Sequence, residues 1–167
     1  SAIFGWDREM LEGTTQSSRE WREEVDEWWA KRLNMPHLTP RWVLQYWGTE
    51  VGRRSFHNDI WVSSIENQLR QIKDNVVITD CRFKNEVDAI KNAGGTTIRV
   101  NRGQDPEWLT DAVDYNYYKN PQALARLTER GVHASEYSSV GLDYDHTIDN
   151  NSTIDDLHKH MELIVNS

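Results

Sequence analysis

The sequence predicts an α/β fold whose first half is helical, because the spacing of its apolar residues changes about halfway along the chain. In the first half, aromatic and aliphatic residues recur at intervals of three and four, which is the period of one helix face. In the second half, short continuous apolar runs on either side of a helical stretch indicate parallel strands joined by a helix. No linker rich in Ser, Pro or Gly divides the chain, so we predict a single domain over residues 1–167.

Composition excludes several classes of protein. The chain has 19 Lys and Arg against 27 Asp and Glu, which gives a net charge of −8. Proteins that coat nucleic acid or bind anionic membranes need a basic surface, so we expect neither partner. The single cysteine excludes an intramolecular disulfide and a multi-cysteine zinc site. No apolar run reaches the roughly 18–20 residues of a membrane span, and no signal peptide is recognisable, so we expect a cytoplasmic protein.

The first helix is predicted from a capping pair and an apolar stripe. Ser17 and Glu20 have the spacing of a capping box, and Pro36 ends the helix that they begin. Three tryptophans in the stripe are more typical of a core or a dimer seam than of a base-stacking platform, because so much apolar area is rarely left in water. We therefore expect a homodimer with these tryptophans in or near its seam. The stripe consists of Trp21, Val25, Trp28, Trp29 and Leu33.

Two further helices complete the helical half, about residues 17–73. Thr39 followed by Pro40 is typical of an N-cap and a first helical position, and Asn58 or Asp59 would cap the third helix. The faces that we expect to point inward consist of Trp42, Val43, Tyr46, Trp47 and Val51 in the second helix and Ile60, Trp61, Ile65 and Leu69 in the third.

The second half, about residues 75–165, begins with a predicted βαβ unit. Residues 76–78 form a short apolar run, as in a strand buried on both faces, and residues 96–100 form the next strand. Residues 83–93 between them are predicted to be helical, so the two strands should be parallel, with a right-handed crossover. The elements predicted beyond this unit are two short helices from Asp105-Pro106 and Asn120-Pro121, a strand at 146–148, and a helix from Ser152 or Thr153 to about Val165.

Polar residues that follow the predicted strands are the candidate functional residues. Asp80 and Arg82 come directly after the first strand, and Glu86 lies one helical turn beyond Arg82. Arg99 and Arg102 end the next strand. Ligands of open parallel sheets bind beyond the carboxyl ends of the strands, so these side chains could converge on an anion, to which arginine donates bidentate hydrogen bonds. The alternative is that Arg82 and Glu86 form a surface ion pair and Asp80 caps the helix.

Two groups that contain histidine are weaker candidates. His158 and His160 are two residues apart on a predicted helix and point in different directions, which disfavours a metal site. His133, Ser135 and Glu136 are near neighbours in sequence, and neighbours of this kind rarely form a catalytic triad. The role of these three residues stays open.

Five segments, in this order, resemble the bacteriophage deoxynucleoside monophosphate kinases. They are LQYWGTEVGR at 44–53, HNDIWV at 57–62, VVITDCRFKNE at 76–86, AGGTTIRVNR from Ala93 and HASE from His133. The resemblance extends over about residues 38–165. It implies a P-loop kinase with a parallel sheet flanked by helices and a lid insertion. It also implies transfer of the γ-phosphoryl group of ATP to a deoxynucleoside monophosphate, with Mg²⁺ as cofactor, in a dimer located in the host cytoplasm.

The resemblance also implies roles for individual residues. Arg82 would hold the acceptor phosphate, while Asp80 and Glu86 would orient the acceptor or metal-bound water. Phosphoryl transfer requires neutralisation of the transition-state charge, for which arginines near the lid are suited. The other residues that the resemblance assigns are Arg99 and Arg102 for that charge, Trp61 beside the acceptor base, and Arg41 and Arg53 for further phosphate contacts.

The sequence departs from such kinases in one respect, because it contains no GxxxxGK[ST] phosphate-binding loop. Gly94 and Gly95 are adjacent, but no Lys follows them. In the kinase fold, the P-loop strand lies between the strands predicted at 76–79 and 96–100, so the sheet would have a gap. The chain would then be a fragment of a longer kinase, a truncated relative that binds a nucleotide or a partner without catalysis, or a rearranged interaction domain in which these strands pair directly. As a fragment, it should bind a deoxynucleoside monophosphate without turning it over.

Overall fold

The computed structural model describes residues 2–166, and the chain divides into two compact units, Ser1–Trp61 and Val62–Ser167. The single-domain organisation of the whole chain stays a prediction. Helices and a small parallel sheet are both present, so the α/β class is confirmed at this level. Between residues 2 and 166, no helix has the length and apolar character needed to cross a membrane.

The first unit is helical, as predicted. Its core contains Ala30, Leu38 and Val43, against which Phe4, Trp6 and other apolar side chains pack. Its elements are α1 (Arg8–Glu12), α2 (Gln16–Trp21), α3 (Glu27–Leu33), α4 (Pro40–Tyr46) and a π-helix (Trp47–Phe56), and α5 (Ile60–Leu69) begins in its last residues.

The prediction of a single helix from Ser17 to Pro36 is wrong, because the helix ends after α2 and a new helix, α3, begins at Glu27. The Asp26 carboxylate accepts a hydrogen bond from the backbone N–H of Trp29 at 3.0 Å, so this residue begins a new helix as its N-cap. The capping box at the start of α2 is formed by Thr15 and Ser18 rather than by Ser17 and Glu20. Short polar side chains compete with the helix for backbone donors, which explains the interruption.

The tryptophan stripe is consequently divided between a packed part and an exposed part. Trp29 packs edge-on against Phe4, with ring centroids 4.9 Å apart, and its indole N–H donates to the Phe4 carbonyl at 3.1 Å. Trp21 contacts Trp6, whose indole N–H donates to Asp26 at 2.7 Å. Trp28 remains 64% exposed. Two of the three tryptophans are therefore partly buried against neighbouring rings, and one lies on the surface.

The second helix starts where it was predicted and buries only part of the predicted face. Thr39 accepts from the backbone N–H of Trp42 at 3.1 Å and Pro40 occupies the first turn, which confirms the cap. In the predicted stripe, Val43 is buried in the core of the unit, whereas Trp42, Tyr46 and Trp47 are exposed. Trp42 stacks on Tyr46 at 5.0 Å instead of entering the core. The third helix begins at Ile60, as predicted, but Trp61 is exposed rather than inward-facing.

The second unit contains a two-stranded parallel sheet and a helical hairpin. Ile98 pairs with His146 and Asn101 with Asp149 in the sheet. The hairpin core consists of Ala112, Leu127, Tyr137 and Val140. The elements are α6 (Lys84–Asn92), β1 (Ile98–Asn101), α7 (Leu109–Tyr118), α8 (Pro121–Glu129), α9 (Ala134–Tyr137), β2 (His146–Asp149) and α10 (Ile154–Val165).

The strand predicted at 76–78 is wrong, and with it the βαβ unit. Val77 is 83% exposed, and β1 pairs with β2 instead. Direct pairing between residues 76–79 and 96–100 is likewise wrong, since the sheet described over residues 2–166 has the order β1-β2. A strand buried on both faces needs apolar cover and a neighbour for its backbone donors and acceptors, and the run 76–78 has this composition without the neighbour.

A cluster formed by Lys91, Thr97 and Asp145, the β1–β2 clasp, joins the start of β1 to the start of β2. Buried Thr97 donates from its backbone N–H and its hydroxyl to one oxygen of Asp145, at 2.8 and 2.7 Å. The other carboxylate oxygen lies 3.3 Å from the Lys91 ammonium. The Thr97 hydrogen bonds, aided by Lys91, lower the pKa of Asp145 from 3.8 to about 2.

This clasp predicts how stability depends on pH. Because the folded pKa is depressed, the stabilisation from Asp145 should be complete above about pH 4 and lost as the pH falls through about 2. Thermal unfolding at pH 5 and at pH 2.5 measures the loss. The Tm of Asp145→Asn should fall less between these two pH values than the Tm of the wild type. Asp105→Asn, which changes an exposed residue, should show the same fall in Tm as the wild type. Equal losses for the wild type and Asp145→Asn would contradict the prediction.

Candidate functional site

The backbone around Arg82 is fixed by the cap of α6. One oxygen of Glu86 accepts from the backbone N–H groups of Arg82 and Phe83 at 2.7 and 2.9 Å. Arg82 thus lies just before the helix that begins at Lys84, rather than on its face. Glu86 holds the main chain of Arg82, while the guanidinium extends to Glu136 in α9. Asp80 lies two residues earlier and is exposed, so the helix cap expected of Asp80 is supplied by Glu86.

The contact between Arg82 and Glu136 is an ion pair between partly exposed side chains. Arg82 Nη1 lies 3.3 Å from Glu136 Oε1, and the two side chains are 50% and 38% exposed. Pairs of this kind contribute about 0–1 kcal/mol, because water screens both charges. The guanidinium is therefore accessible to a ligand from solvent.

Arg99 reaches the same part of the chain from β1. Its Nη1 donates to the Ser139 carbonyl at 3.2 Å, and its Nε donates to Asn101 Oδ1 at 2.9 Å. The guanidinium lies 5.9 Å from the centre of the Tyr144 ring, in cation–π range. The Tyr144 hydroxyl donates to the Ser139 carbonyl at 3.3 Å. Arg99 and Arg82 thus contact positions only three residues apart, Ser139 and Glu136.

The pKa of the Tyr144 hydroxyl reflects its burial and the charges beside it. Burial raises this pKa above its usual range, while Arg99 lowers it in part. Cys81, the residue before Arg82, adds to the rise.

Residues 136–139, which both arginines contact, are held against the hairpin core. His133 caps α9, because its Nδ1 accepts from the backbone N–H of Ser135 at 3.3 Å. Buried Tyr137 packs edge-on against Tyr115, with ring centroids 5.8 Å apart. Asn116 Nδ2 donates to the carbonyls of Tyr137 and Val140 at 2.8 and 2.9 Å. His133 and Ser135 therefore position a helix, while Glu136 contacts Arg82.

The other predicted residues are distributed over both units. Arg102 follows β1 directly and is exposed. In the first unit, Arg53 is buried and donates to the Asn58 carbonyl at 3.1 Å, and Arg41 lies 3.2 Å from Glu23.

Trp61 is held by its edge against the π-helix. Its indole N–H donates to the Gly48 carbonyl at 2.9 Å, and a Cβ atom on Gly52 would lie 3.0 Å from its ring. A side chain at position 52 would therefore crowd the Trp61 ring. The ring remains partly exposed, which leaves apolar area for a further contact.

Sequence reasoning left Glu136 without a role and did not select Tyr144 or Ser139. The HASE segment was visible as a motif, but its contact with Arg82 spans 54 positions of the chain. Ser139 takes part through its backbone carbonyl, for which a sequence offers no signal.

Neither a cluster of metal-ligating side chains nor a phosphate-binding loop sequence is found in the part of the chain that the structure describes. Within residues 2–166, no group of three or more His, Cys, Asp and Glu is arranged to hold a metal. Gly94 has φ +77° and forms the turn from α6 to β1, where a Cβ atom on Gly95 would lie 2.9 Å from Ile90. These glycines form the turn and its packing, and no lysine follows them as it does in a phosphate-binding loop.

The chain shares sequence with two curated proteins. It is 40% identical over 55 residues to the deoxynucleoside-5'-monophosphate kinase of Escherichia phage T5, which covers 32% of this chain and 22% of the phage protein. The resemblance to deoxynucleotide monophosphate kinases is confirmed. A second relative, named "Putative deoxynucleotide monophosphate kinase" in Acanthamoeba polyphaga mimivirus, is 32% identical over 112 residues, which covers 60% of this chain and 53% of that protein.

These comparisons are partial. The chain spans about half the length of the mimivirus relative that it matches and less of the phage protein. No protein-family model matches the chain, and no solved structure matches it. Because both relatives are named as deoxynucleotide monophosphate kinases, the similarity supports a kinase-like function at the level of the family.

Proposed function

We propose that the chain is the core and acceptor-binding part of a deoxynucleoside monophosphate kinase, with the core architecture of a P-loop kinase. The sequence similarity supports the reaction class. The observation that carries the acceptor site is the convergence of Arg82 and Arg99 on residues 136–139 of one short segment. A phosphate monoester carries up to two negative charges, and two guanidiniums are suited to bind it with charge-assisted hydrogen bonds.

Each predicted residue has a role in this proposal. Arg82 holds the acceptor phosphate, and Glu86 fixes the Arg82 backbone so that its guanidinium starts from a defined position. Arg99 supplies the second positive charge. The roles that rest on the resemblance alone are base stacking by Trp61, orientation of the acceptor by Asp80, phosphate contacts by Arg41 and Arg53, and neutralisation of the transition-state charge by Arg102.

The donor is MgATP, with Mg²⁺ entering as part of the substrate. Phosphoryl transfer depends on positioning and on neutralising charge, and a donor normally lies in a loop of oriented backbone N–H groups beside a lysine. The 167 residues contain no such loop sequence, so we expect this chain to recognise the acceptor without transferring phosphate to it. Relatives from viruses support a location in the host cytoplasm.

Calorimetric titration of the chain with each of the four deoxynucleoside monophosphates and with MgATP tests the proposal, followed by an assay of ADP release. We expect at least one monophosphate to bind, MgATP to bind weakly and ADP release to stay at background. Turnover by this chain would show that a donor site exists within it. Binding of neither nucleotide would contradict the proposal and favour the alternative, a non-catalytic interaction module derived from such a kinase.

We further propose that the chain is a homodimer with Trp28 in the seam. Trp28 is exposed together with Val25 and Leu33, which lie at or beside α3, and burying them would remove apolar surface from water. Light scattering at micromolar concentration should give twice the mass of 19.6 kDa. Trp28→Ser should shift the protein to monomer, while Ile3→Ser, at another exposed apolar position, should not. A monomeric wild type would contradict the proposal.

A further inference from the structure

The partner of the proposed phosphate-binding arginine is itself an anion. The Glu136 carboxylate lies 3.3 Å from the Arg82 guanidinium, where a bound phosphate would make its own contact. Arg99 differs, because its nearby acceptors are the Ser139 carbonyl and the Asn101 side-chain amide, both of them neutral. The two arginines therefore have different electrostatic partners in the unliganded protein.

We infer that Glu136 is an internal counter-ion of Arg82, which an incoming phosphate group displaces. This inference rests on the proposed role of Arg82 as the acceptor-phosphate ligand. Glu136 thus acts as a positioning residue through Arg82 and lowers the affinity of the site for anions, because ligand binding must separate an existing ion pair and bring like charges together.

The geometry favours exchange of the partner. The ion pair joins half-exposed side chains at 3.3 Å, and water screens both charges, so separating them costs little. A phosphate can accept two parallel hydrogen bonds from one guanidinium, with typical lengths of about 2.7–2.9 Å. If the carboxylate stayed in place, it would repel the phosphate at short range, which favours movement of the Glu136 side chain toward water.

Only the side chain needs to move. The backbone on both sides of Glu136 is held by the His133 cap, by buried Tyr137 and by the hydrogen bonds from Asn116. A rotamer change of an exposed side chain takes place without unfolding of α9. Removing the charge of Glu136 is therefore expected to leave the fold intact and to alter the anion site alone.

Inorganic phosphate is the probe, because it tests the anion site without a contribution from the base. Its dissociation constant is measured by calorimetry at constant ionic strength for the wild type, Glu136→Gln, Arg82→Ala and the double variant. Glutamine keeps the shape and an acceptor oxygen but removes the charge, so Glu136→Gln should bind phosphate about 3- to 10-fold more tightly. Glu129→Gln, which removes the same charge from an exposed position of α8, should leave the constant within about twofold.

The double variant separates an action through Arg82 from a general change in charge. If Glu136 acts through Arg82, Glu136→Gln should have no effect once Arg82 is alanine, and the two single effects will not add. Unchanged or weaker phosphate binding by Glu136→Gln, or equal tightening in both backgrounds, would overturn the inference while leaving the role of Arg82 intact. Phosphate binding that is unaffected by Arg82→Ala, or absent from the wild type, would overturn both.

Discussion

Arg82→Ala is expected to weaken the binding of a deoxynucleoside monophosphate by about 100-fold, because it removes a bidentate, charge-assisted contact worth about 1.5–3 kcal/mol per hydrogen bond. Calorimetric titration with the monophosphate that binds the wild type most tightly measures the change. Arg82→Lys should also bind poorly, since an ammonium group lacks the planar pair of donors. In a kinase complete with its donor loop, Arg82→Ala should lower kcat/KM by about 100-fold or more.

The fold should tolerate this substitution, which makes the binding measurement interpretable. The Arg82 side chain is half exposed and its ion pair with Glu136 contributes about 0–1 kcal/mol, so the free energy of unfolding should change little. Arg130→Ala provides a matched control, because Arg130 forms a similar exposed ion pair with Glu107 at 3.4 Å. Binding by Arg82→Ala within a few-fold of the wild type would show that the phosphate is held elsewhere.

Helix starts could be predicted from the sequence because the chemistry of a cap is local. Thr39 with Pro40, Asn120 with Pro121, and Thr153 each begin the predicted helix, and each cap side chain accepts a hydrogen bond from a residue two or three positions ahead. The helix predicted from Asp105-Pro106 begins only at Leu109, since residues 106–109 form a turn instead. Signals that act over one helical turn thus survive in the folded chain, with small shifts.

Strand pairing could not be predicted in the same way, because it depends on distant partners. The apolar run at 76–78 has the composition of a buried strand, yet Val77 is exposed and β1 pairs with residues 146–149. The strand predicted at 146–148 does form, although no local pattern in the sequence indicates which strand is its neighbour. Composition specifies a preference for extended backbone, and the neighbour decides whether a sheet forms.

The candidate site also combines residues that local sequence patterns indicate with contacts between distant parts of the chain. Arg82 and Arg99 could be selected because each is associated with a predicted strand, and both contact residues 136–139 although the first of these strands does not form. That strand was the reason for expecting them to meet, whereas in the structure residues 136–139 bring them together. Tertiary packing of the hairpin core, rather than a shared sheet edge, thus determines the position of the site.

Leu127→Ala is expected to lower the free energy of unfolding by about 2–5 kcal/mol, the cost of deleting a fully buried leucine side chain. Leu127 is 0% exposed and lies in α8 within the cluster that contains Ala112, Tyr137 and Val140. Leu163→Ala removes the same atoms from a 71% exposed position of α10 and should change the free energy by less than about 0.5 kcal/mol. Urea unfolding monitored by circular dichroism measures both.

The same variant connects the hairpin core with the anion site. Tyr137 follows Glu136 directly and packs in the cluster that Leu127 fills, so a cavity there should loosen the segment that receives Arg82 and Arg99. Under native conditions, hydrogen exchange at the backbone amides of residues 136–140 should therefore accelerate in Leu127→Ala and not in Leu163→Ala. A destabilisation below about 1 kcal/mol would mean that the cavity collapses and that α8 does not support the core as its burial indicates. Full destabilisation without faster exchange at these amides would show that α9 is held mainly by its own contacts, namely the His133 cap and the two hydrogen bonds from Asn116.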